Sequence, residues 1–431
     1  MPSSLMSIAD KARSARQHRF ENLSSMVHAA ALRESYRKLN RRSATGVDGV
    51  TYAQYGQHLH AHLTALHERL KQDRYRSKHV RRVYIPKASG GQRALGIPAL
   101  EDKIVQQTVA DILTAIYDND FLPSSYGYRP GRGAHAAVKD LHGALRFGNY
   151  HYVVEADIRD YFGSIDHDML LKMLSERLAD RRFLGLIRTW LRAGILERDG
   201  RVVHPGSGTP QGGVISPILA NIYLHHVLNR WFAAVRPLFR GQAKLWVYAD
   251  DFVAAFEHED DAQRFYRTLG KRLAKFNLQV APEKTRLLHF SREQPEQSEA
   301  FSFLGFEFRW VRSARDGTPW IKHSTDRKKM QRSVQNIKQW CRRRAHIGAR
   351  MLIEGLNRKL RGYDQYYGVY GNMDQLTKLR RIIRRIVFTC LNRRSQKRSY
   401  TWQGFRSMLR HCPLCPPQIH HFWWSGTNAT R

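Results

Sequence analysis

The sequence predicts an α+β fold in which a core of helices and strands is followed by an all-helical region. Stretches with alternating apolar residues interleave with helical patterns up to about residue 310, and from about Asp326 onward the pattern is helical only. Residues 321–431 contain 25 Lys and Arg but only 4 Asp and Glu, a balance of +21 within a total of +35. This asymmetry indicates a separate C-terminal module that contacts a phosphate backbone.

Length and composition narrow the function further. A chain of 431 residues with 42% hydrophobic residues can bury the cores of two or three domains. Its pI near 10.5 favours nucleic acid over an acidic membrane surface as the partner. Neither a long apolar run nor a signal-peptide core is present, so we expect no membrane contact and a cytoplasmic, nucleoid-associated location in a bacterium. Four cysteines are too few for a disulfide framework.

The elements follow from the pattern in chain order. Helical patterns cover residues 1–45, 56–72 and about 100–117, and two strands from 80 to 97 flank the turn Ser89-Gly90-Gly91. A strand at 151–158, a helix at 166–178, a hairpin near Asp199-Gly200 and a glycine-rich loop at 208–213 come next. A helix at 216–228, a hairpin at 245–256, a helix at 261–276 and strands at 285–290 and 301–310 complete the core.

The hairpin at 245–256 contains the most informative motif, Tyr248-Ala249-Asp250-Asp251. Apolar, β-favouring residues flank two adjacent carboxylates on both sides. Buried acids need a positive partner, and a pair of divalent cations would supply one. An acidic hairpin tip in water is the alternative, since Asp is common in turns. The hairpin alone leaves both interpretations open.

A second acidic feature bears on that choice. The strand at 151–158 delivers Asp157 where its apolar alternation stops. If this strand lies beside the hairpin, Asp157 and Asp250 converge. Two-metal phosphoryl transfer needs carboxylates that hold cations ~3.5–4 Å apart.

Seven ordered blocks between residues 46 and 306 carry a resemblance to a known family, whose matching residues are spread from about 46 to 410. They are Gly46–Gly49; Ile85–Lys87 with Arg93–Pro98; Tyr126–Arg132; Asp157–His167; Gly208–Tyr223; Tyr248–Asp251; and Pro282–Thr285 with Phe303–Phe306. The chain resembles the reverse transcriptase/maturases encoded by bacterial group II introns. That resemblance implies a right-hand polymerase fold, with fingers and a palm built on antiparallel sheet, followed by an α-helical thumb/maturase domain. The implied boundaries are an N-terminal helical extension at 1–75, fingers and palm at 76–315, thumb/maturase at 316–410 and a tail at 411–431.

The resemblance implies an RNA-directed DNA polymerase that extends a DNA primer on an RNA template, with dNTP substrates and two Mg²⁺ ions. Its partners would be group II intron RNA, whose splicing and mobility it assists, the primer–template and target DNA; a homodimer stays open. An RNA-binding splicing factor with a dispensable polymerase is the first alternative. A reverse transcriptase domesticated for phage defence or CRISPR spacer acquisition is the second. Many members of that family carry a nuclease domain with no counterpart here, so we do not expect autonomous second-strand cleavage.

By the same resemblance, Asp157, Asp250 and Asp251 form the catalytic triad. Asp157 and Asp250 would be the principal Mg²⁺ ligands, the backbone carbonyl of Ile158 would add one more, and Asp251 would support them. Asp166 stands where a helix N-cap belongs, so we assign it to capping.

Five residues are implied to bind the dNTP. Phe162 would exclude a ribose 2′-hydroxyl, unless it is an ordinary core aromatic. Lys87 and Arg93 lie on opposite arms of the first hairpin and would close onto the triphosphate, a solvated basic face being the alternative. Gln211 would contact the incoming nucleotide, in a loop whose glycines permit close approach. Lys284 would protonate or stabilise the leaving pyrophosphate, unless it forms a surface salt bridge.

The primer grip is implied to be Phe303, Leu304, Gly305 and Phe306, whose aromatic side chains could equally be core. Basic groups of the helical region are expected to bind RNA through its backbone and shape. These are Arg342, Arg343, Arg344, Arg380, Arg381, Arg384, Arg385, Arg393 and Arg394. The four between 380 and 385 are predicted to share one helical face. Cys412 and Cys415 offer half of a zinc site, and packing of a proline-rich tail is the favoured alternative.

Overall fold

The computed structural model describes residues 3–86, 90–393 and 399–423. The chain divides into two compact units. The first contains Met1–Ala137 and Val154–Leu287, and the second contains Val138–Val153 and Leu288–Arg431. This division differs from the predicted functional boundaries at 75, 315 and 410, which stay predictions.

The α-helices are, in chain order, α1 (Ser3–Ser14), α2 (Ala29–Lys38), α3 (Tyr52–Gln57), α4 (Leu59–Lys71), α5 (Leu100–Tyr117), α6 (Ala134–Phe147), α7 (Tyr161–Ser164), α8 (His167–Ser175), α9 (Arg181–Leu191), α10 (Ser216–Leu224), α11 (Arg230–Val235), α12 (Glu259–Ala274), α13 (Arg327–Arg343), α14 (Ala349–Tyr367), α15 (Met373–Asn392) and α16 (Trp402–His411). The strands are β1 (Val80–Pro86), β2 (Gln92–Ile97), β3 (Tyr152–Asp157), β4 (Ile195–Leu196), β5 (Val202–Val203), β6 (Ala243–Tyr248), β7 (Asp251–Phe256), β8 (Arg286–His289), β9 (Phe301–Phe303), β10 (Phe306–Arg312) and β11 (Pro319–Thr325).

Side-chain caps explain where several helices begin. Asp166, Asp180 and Asp326 precede α8, α9 and α13, and each carboxylate accepts a backbone N–H from the first turn. The assignment of Asp166 to capping is therefore confirmed: it accepts the N–H of Met169 at 2.8 Å. These caps leave Asp166 and Asp180 engaged in local structure.

Two sheets position the first unit's chemistry. One has the order β2-β1-β4-β5, and its β1–β2 hairpin pairs from Arg81 with Ile97 to Pro86 with Gln92. The other has the order β6-β7-β3-β8, so that β3 and β7 are hydrogen-bonded neighbours. Inner positions of β6 and β7, such as Trp246 and Phe252, are fully buried. The strand that carries Asp157 therefore lies beside the carboxylate hairpin, as the sequence required.

The second unit combines a three-stranded sheet, β11-β10-β9, with α13 to α16 and most of α6. Leu352, Leu356 and Leu360 of α14 are fully buried, so this helix packs through one apolar face. The chain after α16 packs back on this unit: Asn357 donates to the carbonyl of Pro413 at 2.9 Å, and the backbone N–H of His420 donates to Gly368 at 2.7 Å. The described part of the tail thus packs as expected.

The α+β class with a helical C-terminal region is confirmed. The predicted helix from 100 to 117 has the observed bounds, and the carboxylate hairpin is present. The helices α6 and α9 and the strand β11 lie outside the elements predicted from the sequence. Within the described residues, no helix has the length and apolarity needed to span a membrane.

Candidate active site

The catalytic hairpin is closed by a tight turn between β6 and β7. Tyr248 and Asp251 form its last cross-strand pair, which leaves Ala249 and Asp250 at the tip. Ala249 has a φ of 55° and is buried. A positive φ at the first loop residue is typical of the turns that match the twist of two antiparallel strands. The turn thus holds Asp250 at the end of a rigid two-stranded support.

The end of β3 meets this tip. The backbone N–H of Ile158 donates to the carbonyl of Asp250 at 3.3 Å, and the N–H of Ala281 donates to the carbonyl of Asp157 at 2.8 Å. These bonds bring Asp157 and Asp250 together from segments 93 positions apart in the sequence. Asp251 begins β7 and is half-buried. A ligand role for the Ile158 carbonyl stays a prediction.

Burial and neighbouring charges shift the pKa values of the groups at the tip. Burial raises the pKa of Asp250 above its usual value, and the neighbouring negative charge of Asp157 raises it further, whereas Lys284 and Arg93 oppose the rise. The ammonium of Lys284 bonds Oδ2 of Asp157 at 2.6 Å. This hydrogen bond is the main reason that the pKa of Lys284 is raised. The carboxylates of Asp157 and Asp250 repel each other when both are ionised, so a positively charged partner would stabilise them.

The donor set suits a hard divalent ion. Mg²⁺ prefers oxygen ligands and is often held by one or two carboxylates, with substrate phosphates and waters completing its shell. Asp157 and Asp250 supply that kind of set. In the part of the chain that the structure describes, no cluster of three or more His, Cys, Asp or Glu side chains is arranged to hold a metal.

Phe162 and Gln211 are two further residues predicted to contact the nucleotide. Phe162 is half-buried, so it is not a core aromatic. The Nε2 atom of Gln211 lies 3.5 Å from Oδ1 of Asp160, and the carbonyl of Gln211 accepts the N–H of Gly96 at 2.7 Å. A Cβ at Gly212 would lie 2.8 Å from the Gly96 carbonyl, so a glycine is needed for the loop to pack this closely on β2. Their roles toward a nucleotide stay predictions.

Two residues, Lys87 and Arg93, are predicted to bind the triphosphate, and the structure describes Arg93. Arg93 is exposed on β2, opposite Ile85, and its charge influences Asp250. Lys87 lies outside the described residues. The charge of Arg93 thus acts on the hairpin tip, and its role toward a triphosphate stays a prediction.

In the second unit, Phe303 and Phe306 are fully buried, so their rings are core, as the alternative interpretation held. Leu304 and Gly305 form the turn between β9 and β10, both with positive φ. The hydroxyl of Tyr366 donates to the Leu304 carbonyl at 2.8 Å. A primer-grip role for this turn stays a prediction.

The predicted arginine face of α15 needs one correction. Arg381, Arg384 and Arg385 are exposed, but Arg380 is 7% exposed and pairs with the buried carboxylate of Asp364. Its Nε donates to the Cys415 carbonyl at 2.9 Å. Arg380 therefore does not share the exposed face.

The other predicted RNA-binding arginines are placed as follows. Arg342, Arg343, Arg344 and Arg393 are exposed, and Arg394 lies outside the described residues. The guanidinium of Arg344 lies 4.8 Å from the ring centroid of Trp340, so packing occupies one of its faces.

Sequence reasoning gave no role to the loop before α6, although its residues were part of the resemblance. The backbone N–H of Val247 in β6 donates to Ser124 at 2.8 Å, and the N–H of Tyr126 donates to Val247 at 2.9 Å. Asn221 of α10 donates to the carbonyl of Gly127 at 2.6 Å. The loop therefore supports the catalytic hairpin. The signal that could have indicated this was the density of Gly, Tyr and Arg in one short segment.

Two family matches cover most of the chain. Residues 85–308 match the reverse transcriptase (RNA-dependent DNA polymerase) family. Residues 330–408 match the group II intron maturase-specific domain. The first match contains every residue of the hairpin site, and the second begins in α13.

Similar proteins come from several organisms. Protein YkfC of Escherichia coli (strain K12) is 32% identical over 60% of this chain and 74% of its own length. The group II intron-encoded protein LtrA of Lactococcus lactis subsp. cremoris is 35% identical over 51% of this chain and 36% of its own. An uncharacterized 91 kDa protein in the cob intron of Schizosaccharomyces pombe is 43% identical over 37% of this chain and 19% of its own. The chain thus aligns with well under half of the last two relatives.

An acid at the end of β3 and another at the tip of the β6–β7 hairpin, within a match of this extent, define the class. The chain belongs to the reverse transcriptase family. With the maturase-specific match and the likeness to LtrA, it is a group II intron-encoded reverse transcriptase/maturase.

Proposed function

We propose that the protein is an RNA-directed DNA polymerase that extends a DNA primer on an RNA template, and that it assists the splicing and mobility of its group II intron RNA. The observation that carries the polymerase proposal is the adjacency of β3 and β7, which brings Asp157 beside Asp250. Family membership supports it.

In this proposal Asp157 and Asp250 would hold two Mg²⁺ ions, with Ile158 and Asp251 beside them. When bound, these ions supply Lewis-acid activation of the primer hydroxyl and stabilisation of the leaving oxygen. Arg93, together with Lys87, binds the triphosphate as a forked donor. Lys284 supplies a cation on the Asp157 side of the site, where it can meet the pyrophosphate. Phe162 bounds the sugar and selects dNTPs.

The helical unit would bind RNA. The maturase-specific match covers α13 to α15 and most of α16, where exposed arginines face few acids. The turn at Leu304 and Gly305 would contact the primer through its backbone. Target DNA is the further partner in this proposal.

The decisive experiment is primer extension on an RNA template by Asp250→Asn. This change keeps the shape of the side chain and removes its charge, so we expect extension to fall at least 100-fold. RNA affinity, measured in the same preparations, should stay within about twofold. Asp199→Asn, the same chemical change at an exposed hairpin, is the control and should extend normally. Extension retained by Asp250→Asn would refute the active-site assignment.

A splicing factor with a dispensable polymerase is the second candidate, because the maturase-specific match stands independently of the hairpin site. In vitro splicing of the intron RNA separates the two. Asp250→Asn should splice like wild type under either proposal. Splicing by a wild-type protein that extends no primer would favour the second.

A further inference from the structure

The loop formed by residues 124–132 is fixed rigidly beside the catalytic hairpin. Two backbone hydrogen bonds join it to Val247, and Asn221 holds the carbonyl of Gly127 at 2.6 Å. A Cβ on Gly127 would lie 2.6 Å from the backbone nitrogen of Ala249, so only glycine permits this approach. The loop backbone therefore lies directly against the turn that carries Asp250.

The far side of the loop is anchored by a buried arginine. Arg129 is 9% exposed, and its Nε donates to Asp118 at 2.6 Å. Its other nitrogens donate to the carbonyls of Asp118, Leu122 and Ser125. Tyr128, between Gly127 and Arg129, is thus held by neighbours on both sides.

Tyr128 itself has an uncommon combination of properties. Its φ is 54°, a left-handed conformation that bulky side chains rarely adopt. Its side chain is nevertheless 51% exposed, so the fold gains little from the ring. Across the described residues, Tyr128 alone is both a large exposed hydrophobic residue and a non-glycine residue with positive φ. A strained backbone that presents an aromatic ring to solvent is typical of a ligand-contacting position.

The ring also lies where substrates of the proposed polymerase would lie. Its centroid is 6.5 Å from that of Tyr248. Burial raises the pKa of the Tyr128 hydroxyl, Asp250 raises it further, and Arg93 opposes both. The side chain is therefore near both the carboxylate tip and the expected triphosphate cation.

We propose that Tyr128 contacts the primer–template at the polymerase centre, with its ring packed against the nucleotide at the primer terminus. An aromatic face suits this role, because every base offers a π-face and stacking tolerates any sequence. The proposal deepens the proposed polymerase function and rests on it.

The test measures binding without chemistry. An RNA template annealed to a dideoxy-terminated DNA primer is titrated with wild type, Tyr128→Gly and Tyr128→Phe. We expect the glycine variant to raise Kd about tenfold, as the loss of one stacked ring implies. The phenylalanine variant keeps the ring and should stay within about twofold of wild type. Asn22→Gly relieves another positive φ, of 54°, at an exposed residue whose side chain makes no capping hydrogen bond, and is the matched control.

Thermal unfolding of the same variants supplies the second readout. Glycine tolerates the left-handed conformation, so Tyr128→Gly should melt at or above the wild-type temperature while binding more weakly. If Tyr128 had only a structural role, Tyr128→Gly would lower the melting temperature and the affinity for the primer–template together. Binding by Tyr128→Gly within twofold of wild type would overturn the proposal, and so would equal weakening by Tyr128→Phe. Failure of wild type to extend a reactive primer would instead count against the polymerase function.

Discussion

At the scale of single residues, Lys284 and a divalent ion compete for the same carboxylate. The ammonium of Lys284 lies 2.6 Å from Oδ2 of Asp157, and its side chain is 60% exposed. Ion pairs with this exposure contribute only about 0.2–1 kcal/mol. An ion that binds Asp157 can therefore displace the lysine at little cost.

Removing Lys284 should accordingly tighten metal binding. We expect Lys284→Met to bind Mn²⁺ two- to fivefold more tightly than wild type in the absence of nucleotide, because about 0.2–1 kcal/mol of competition is lost. Titration calorimetry or the electron paramagnetic resonance of free Mn²⁺ measures this directly. Arg159→Met is the control: it removes a nearby charge that pairs with Glu283 at 3.7 Å rather than with Asp157. Unchanged or weaker binding by Lys284→Met would contradict the competition.

A buried histidine makes a prediction about acid stability. His323 is 2% exposed, and neither ring nitrogen has a hydrogen-bond partner within the described residues. Burial lowers the pKa of His323 from 6.5 to about 4. The unfolded chain therefore takes up a proton below pH 6.5 that the folded chain refuses until about pH 4. The stability of this unit must fall as the pH falls through that window.

His323→Phe should remove this loss. A phenylalanine fills the same space without a titrating group, so the fall in unfolding free energy between pH 6.5 and 4 should shrink by roughly 3 kcal/mol. Thermal or urea unfolding of the second unit at several pH values measures it. His346→Gln, at an exposed histidine, is the control and should leave the fall in unfolding free energy at acid pH unaltered. If that fall stays as steep in His323→Phe as in wild type, other groups cause it.

Some single-residue roles were readable from the sequence and others were not. Asp166 was identifiable as a cap, because it stands immediately before a helical pattern. Arg380 was placed on the exposed face by its helical spacing, yet its partner Asp364 lies 16 positions away on another helix. Spacing along one helix carries no information about such a partner. Only the tertiary structure distinguishes Arg380 from Arg381.

At the scale of elements, the strands and helices with apolar inner positions were predictable. β11 was not, because its inward positions are Ile321, His323 and Thr325, two of which are polar. α9 buries Phe183, Ile187 and Trp190 at helical spacing and begins after the N-cap Asp180. The sequence therefore contains the pattern of a helix here, although none was predicted. The pattern of apolar residues did not predict that β3 and β7 are adjacent. The two-metal hypothesis required this adjacency, because Asp157 and Asp250 converge only if the two strands are neighbours.

The link between α14, α15 and the tail is a buried ion pair, and its two halves should depend on each other. Asp364 is 1% exposed, and its carboxylate also accepts the N–H of Gln418 at 3.2 Å. We expect Arg380→Leu to lower the unfolding free energy of the second unit by about 3–5 kcal/mol, because Asp364 is left buried and unpaired.

The double variant Arg380→Leu/Asp364→Leu should recover most of that loss, because no charge then stays buried. Urea unfolding followed by tryptophan fluorescence measures all three proteins. The exposed Arg381→Leu is the matched control and should change stability by less than about 0.5 kcal/mol. A double variant no more stable than Arg380→Leu would mean that packing, not charge, sets the cost.

At the scale of the whole molecule, the net positive charge is concentrated in the C-terminal part of the chain. Residues 321–431 hold +21 of the total +35, and Arg381, Arg384 and Arg385 project from α15 with few acids nearby. Self-repulsion of this size is relieved by a polyanion. Sequence was sufficient to predict this property, because net charge depends on composition and not on the fold.

The whole-molecule prediction is that these three arginines set the salt dependence of RNA binding. Each phosphate contact contributes about 0.7–0.9 to the slope of log K against log salt, so changing all three to Gln should flatten it by about 2–3. Affinity for intron RNA is measured between about 50 and 200 mM salt, where such contacts have large effects. Gln replacements of Arg267, Lys271 and Lys275, on and just after α12, remove the same charge from an exposed part of the first unit. An equal change in that control would show that net charge alone acts, and an unchanged slope in the first set would show that its arginines contact only solvent.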